Sequence, residues 1–202
     1  MSQAIDNLLA ALTGGDEAQP EVAARAEATA SRLAALDEAK QLEALVALQG
    51  LLTAPEADTR WWAARALAAL PIGEVIPLLL QALQDKDAPV RQCAALGLRQ
   101  HADMRAIAGL VRALDDPDPL VRRLAGEALE AVGGEAVPAL LEVMEHGSHS
   151  ARLEAARALA GIRDTRAIPA LFKALEGSAL MEYWASEGLE RMGVGTNYFI
   201  PD

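Results

Sequence analysis

The most regular feature of the chain is where its apolar residues fall. Ile76, Leu79 and Leu83 stand at relative positions 0, 3 and 7. The same spacing returns at Leu45, Leu48 and Leu52, at Ile107, Leu110 and Leu114, at Val137, Leu140 and Met144, and at Ile168, Leu171 and Leu175. Residues so spaced share one face of an α-helix. Each set is followed by a second segment in which a small residue precedes a leucine by four positions: Ala63 and Leu67, Ala94 and Leu98, Ala125 and Leu129, Ala155 and Leu159, Ala185 and Leu189. Small residues at a contact let two helices approach closely. Breaker clusters such as Asp85 to Pro89 and Asp115 to Pro119 separate the two segments. In them Asp87 and Asp118 are placed to cap the second helix, and Pro119 suits its first turn. Ser148 and Ser178 hold the equivalent capping position.

The copies begin at Leu45, Ile76, Ile107, Val137 and Ile168, spacings of 31, 31, 30 and 31 residues. A helix–turn–helix unit of this length cannot bury both of its apolar faces alone, and stacking on its neighbours completes the burial. The expected fold is therefore all-α, a solenoid of about six stacked helix pairs. Five regular repeats occupy residues 42–193, after atypical capping helices over 1–41 and before a tail over 194–202. In the cap, Ile5, Leu8 and Leu12 repeat the 0, 3, 7 spacing, and a long helix is expected from Glu21 to Leu36. Gly133 and Gly134 read as a helix stop. Tyr198, Phe199 and Ile200 in the tail either fold over the open apolar end of the array or dock onto another protein.

The segments RDTRAIPALFKALEG, from Arg163, and VRALDDPDPLVRR, from Val111, resemble the HEAT-like repeats typified by phycobilisome lyase subunits. The likeness covers residues 42–193. It implies a right-handed superhelix whose second helices line the concave face. It also implies a range of roles, because such repeats occur in scaffolds, lyase subunits and hydroxylases.

Composition agrees with closely packed helices. Hydrophobic residues make up 52% of the chain, mostly Ala and Leu, and aromatics only 3%, whereas strands draw on Val, Ile and aromatics. No apolar run is long enough for a membrane span. The N-terminus lacks the basic segment of a secretory signal, and Cys93 has no second cysteine to pair with, so cytoplasmic residence is expected. The formal net charge is −11, and residues 1–56 carry nine acids against three bases. That sign argues against nucleic acid and suits another protein with a basic surface.

Candidate chemistry is sparse. The recurring Arg60, Arg91, Arg122 and Arg152 follow Glu56, Asp87, Asp118 and Ser148 by four residues, and the fifth copy has Glu182 there. They read as a structural ladder tying turn acids and helix ends of adjacent repeats, with a row of anion sites as the alternative. Trp61, Gln92, Arg123, Leu153 and Tyr183 share one column of the second helices, outside the Ala and Leu core stripe. Trp62, Cys93, Leu124, Glu154 and Trp184 form a neighbouring, half-buried column. The candidate partner-binding residues are Trp61, Arg65, Arg123, Arg157 and Tyr183, on the face that the resemblance makes concave. Trp62 and Trp184 read as core filling. His146 and His149 have an HxxH spacing, but the Gly147 turn separates them. The iron hydroxylases of the resembling class use His-Glu pairs, and Glu145 with His146 has the reverse order. No catalytic residue, metal or cofactor is assigned.

The reading that follows is a non-enzymatic protein-binding or scaffold module. The resemblance adds an alternative, a bilin lyase subunit or bilin-associated protein that holds a linear tetrapyrrole in the groove. It also adds a base-repair glycosylase, from which the acidic balance departs.

Overall fold

A computed structural model describes residue 10 and residues 20–194, which include no strand. Ile5, Leu8 and Leu12 of the expected cap lie outside these residues, as do Tyr198, Phe199 and Ile200 of the tail. Two compact units divide the chain between Asp103 and Met104. The first contains α1 (Pro20–Ala34), α2 (Glu38–Leu51), α3 (Ala57–Ala69), α4 (Ile76–Ala82) and α5 (Ala88–His101). The second contains α6 (Ile107–Ala113), α7 (Pro119–Val132), α8 (Val137–His146), α9 (His149–Ile162), α10 (Ile168–Ala174) and α11 (Ala179–Arg191).

Helix α1 stops two residues short of the expected Leu36. The buried Gln41 amide donates to the carbonyls of Ala34 and Leu36 at 2.8 and 2.9 Å, and Asp37 caps α2 through the Lys40 amide at 3.0 Å. These bonds satisfy the chain ends that a longer helix would have used. Short 3-10 turns at Gly73–Val75, Met104–Ala106, Gly133–Ala136 and Thr165–Ala167 lead into the first helices α4, α6, α8 and α10. Three of those helices are seven residues long, whereas α8 has ten and runs on through His146.

Within each unit the second helices stack side by side, α3 against α1 and α5 in the first, α9 against α7 and α11 in the second. The small column is what permits this: Ala63, Ala94, Ala125, Ala155 and Ala185 have no exposed surface, nor do the leucines four positions later. A second small column, which the sequence reading did not single out, consists of Ala66, Gly97, Ala128, Ala158 and Gly188, all buried. A Cβ on Gly188 would sit 2.9 Å from Ala160 of α9, so α9 and α11 lie as near as a missing methyl allows. The first helices close the core from the other side through Leu48 and Leu79 in one unit, and through Leu110, Leu140 and Leu171 in the other.

Capping differs in detail from expectation. Asp118 accepts from the amides of Leu120 and Val121, and Ser148 from that of Ala151. Asp87 and Ser178 precede their helices but accept no capping bond from them. Two second helices end on left-handed residues that are not glycine, Ala102 at φ 49° and Arg163 at φ 58°. Gly133 ends α7 at φ 79°.

Candidate functional site

The five candidate residues are shared between the units. In the second unit, α7, α9 and α11 bring Arg123, Arg157 and Tyr183 into one cluster. Arg123 Nε lies 3.0 Å from Glu127 Oε1 along α7, and Arg157 Nη2 reaches the same oxygen from α9 at 3.2 Å. Arg157 Nη1 is 3.8 Å from Glu154 Oε2, and its guanidinium carbon stands 5.2 Å from the ring centroid of Trp184. Trp184 in turn meets Tyr183 edge-on, with centroids 5.0 Å apart. Tyr183 remains 55% exposed.

The electrostatics are balanced rather than cationic. Glu127 is shared by two arginines, so neither carries a free charge. Glu154 Oε2 is buried without a hydrogen bond. Burial raises the Glu154 carboxyl above its ordinary range, with Arg157, Arg122 and Arg123 pulling the other way. Glu127, Glu154 and Trp184 are therefore as much part of the cluster as the three residues named from sequence. The repeat alignment could have found Glu127, because it holds in α7 the column position that Arg157 holds in α9.

In the first unit Trp61 is half-buried and packs edge-on against the buried Trp62, centroids 4.6 Å apart. Arg65 is clamped by Glu27 of α1 through bonds of 2.8 and 2.7 Å. Cys93 is buried, and burial pushes its thiol up to about 12, with Arg65 lowering and Glu27 raising it. A thiol so held is almost entirely protonated at neutral pH, which agrees with a packing role and not with a nucleophile. His146 and His149 are both exposed, and no group of three or more His, Cys, Asp or Glu among the described residues is arranged to hold a metal. No helix among them is long and apolar enough to cross a membrane.

Residues 44–130 and 107–190 match the family model of HEAT repeats. The chain belongs to the HEAT-repeat family. None of the curated proteins matches it. Among solved structures it is similar to an engineered protein at 25% identity, covering 96% of this chain and 100% of that one with a TM-score of 0.53. A designed armadillo repeat protein in complex with the peptide (KR)4 is 20% identical over 95% of this chain and 100% of that one, with a TM-score of 0.54. The complex of CpcE and CpcF of phycocyanin lyase from Nostoc sp. is 24% identical over 96% of this chain and 78% of that one, TM-score 0.54. These likenesses speak to the fold, an α-solenoid of repeated helix pairs.

The HEAT repeats here carry their arginine column as turn braces. Arg60, 4% exposed, donates from Nη1 to the carbonyls of Ala54 and Pro55 and from Nε and Nη2 to Asp85, and it also reaches Asp87. That pairing explains why Asp87 does not cap α5. Arg91 and Arg122 repeat the carbonyl bonds, Arg91 to Asp85 and Lys86, Arg122 to Asp116 and Pro117. Arg152 does not. Its side chain makes no hydrogen bond or ion pair among the described residues, and its Nε is buried. The helix before it differs: α8 runs through His146, so His146 and Gly147, which hold the positions of the carbonyls that the counterparts of Arg152 bond, are the last residue and the C-cap of a helix rather than an open turn.

Proposed function

We propose that this HEAT-repeat protein is a non-catalytic binding module that captures another protein through its second helices. Trp61 and Arg65 make the contacts in the first unit, and Arg123, Arg157 and Tyr183 in the second. The observation that carries this reading is the Arg157–Trp184–Tyr183 cluster. Tyr and Arg are the residue types that dominate binding interfaces. Here Arg157 is held by two carboxylates and an aromatic face before any partner arrives, so contact with it costs little further ordering. The large exposed surface of Tyr183 is then ready to be covered. The net charge of −11 suits a partner with a basic surface. A peptide of that character, (KR)4, accompanies one of the similar repeat proteins.

The similarity to the CpcE and CpcF complex favours a second reading, in which the same surface serves a bilin lyase subunit or holds a linear tetrapyrrole. Affinity capture from cells of the source organism separates the two, with Tyr183→Ala and Trp61→Ala as single and double variants and circular dichroism as the control for folding. Specific loss of a captured protein from the variants, on the order of tenfold or more for each anchor removed, supports the first reading. A visible absorbance band that co-elutes and disappears with the variants supports the second. Unchanged capture by a folded double variant removes this surface from both.

A further inference from the structure

A cavity of about 610 Å³ lies in the second unit, away from the cluster just described, among α8, α9, α10 and the start of α11. Its volume is in the range of small-molecule sites. Leu141, Met144, Pro169, Ala170, Ala174 and Met181 give it an apolar lining. Arg152 and Lys173 also line it, and neither side chain makes a hydrogen bond or ion pair among the described residues.

The absence of bonds at Arg152 is the telling feature. Its three counterparts in the column all spend their guanidinium on turn carbonyls, and Arg60 adds two carboxylates. Among the described residues no acceptor meets the buried Nε of Arg152, and its terminal guanidinium nitrogens, which are not shut off from the surface, are left for an acceptor that an occupant of the cavity would supply. Ser178 at the start of α11 points to the same kind of occupant. It lines the cavity and accepts no capping bond, so the first amides of a 13-residue helix are left without that partner beside the two cations. Helix starts of this kind favour negative charge.

The remaining charged residues limit what fits. Arg166 is already committed to Asp164 at 2.6 Å and to the Gly134 carbonyl at 2.8 Å. Glu145 and Glu176 also line the cavity, both exposed. Among the described residues, Arg152 and Lys173 are the lining cations without a partner, and with two acids nearby they accommodate one negative charge better than two, which disfavours phosphate monoesters. The apolar lining disfavours small hydrophilic anions. We infer that this cavity binds a small amphipathic monocarboxylate, its apolar body against Leu141, Met144 and Met181 and its carboxylate on Arg152 and Lys173. The planar guanidinium matches a carboxylate in shape as well as in charge.

The test is calorimetric titration of the full chain with octanoate, using octan-1-ol and acetate as probes that lack the charge and the apolar body. Octanoate is expected to bind about tenfold or more tightly than either, and less tightly as salt is raised. Arg152→Gln, which removes no side-chain bond among the described residues, is expected to fold normally and to weaken octanoate about tenfold. Ala170→Trp, which fills the cavity from its lining, is expected to abolish binding. Octanol or acetate binding as well as octanoate would overturn the inference. So would wild-type affinity in either folded variant, or no saturable binding of octanoate at all.

Discussion

At the scale of single residues, the chain shows how one side chain holds a turn. Arg60 is nearly inaccessible, and its guanidinium joins the turn before α3 to Asp85 and Asp87 in the turn before α5. Removing one partner of a buried pair leaves the other charge uncompensated, so Arg60→Met is expected to destabilise the protein by about 3 kcal/mol in chemical denaturation at neutral pH. Burial works to raise the Asp85 carboxyl, but the Arg60 bond, the Asp87 amide and the Arg60 charge outweigh it, leaving the group below its ordinary value of 3.8. A depressed carboxyl stabilises the fold above its unfolded value, and that contribution is lost as the pH falls through the lower, folded one. The gap between wild type and Arg60→Met should therefore narrow as pH drops below about 4, and a gap independent of pH would contradict this pairing. The arginine column itself was legible in the sequence, because an acid or serine precedes each member by four residues. The silence of Arg152 was not. The helix before it, α8, runs on through His146, and nothing in the periodicity of Val137, Leu140 and Met144 announces three extra helical residues.

At the scale of helices, the close approach of α9 and α11 rests on Gly188. A methyl there would press on the Ala160 backbone at 2.9 Å and on Leu171 at 3.0 Å. Gly188→Ala is expected to cost about 1–3 kcal/mol, since the Leu171 methyl can swing aside but the Ala160 backbone cannot. Ala102 presents the opposite case. It closes α5 in a left-handed conformation that strains any residue with a Cβ. Ala102→Gly should raise stability by about 1 kcal/mol, seen as a higher midpoint in thermal or denaturant unfolding. The helix pairs and their inner faces could be read from the 0, 3, 7 spacing and the Ala columns, because packing periodicity is written along each helix. The ends were harder, since Asp87 and Ser178 look like caps but their side chains form no such bond, while Ala102 and Arg163 close helices without looking like caps. Of the candidate cluster, the columns were legible. The sharing of Glu127 by Arg123 and Arg157 was not, because it depends on how far α7 is rotated against α9.

At the scale of the whole molecule, the surplus of 29 acids over 18 bases sets the kind of partner that long-range attraction brings near. The basic peptide (KR)4 is expected to be retained by immobilised protein at low ionic strength and released by about 0.5 M salt, where charges more than a few ångströms apart no longer sense each other. Duplex DNA under the same conditions should pass unretained, and salt-sensitive retention of DNA would refute the expectation. The repeat architecture bears on how such selectivity arises. Within each unit, neighbouring second helices pack side by side, so the burial there does not rest on one arginine brace alone. Arg152, after the longer α8, is the member of the column that makes no bond among the described residues, while Arg60, Arg91 and Arg122 hold their turns. A tandem protein in which one copy's arginine is left unspent has a cation to offer a ligand without acquiring a new domain.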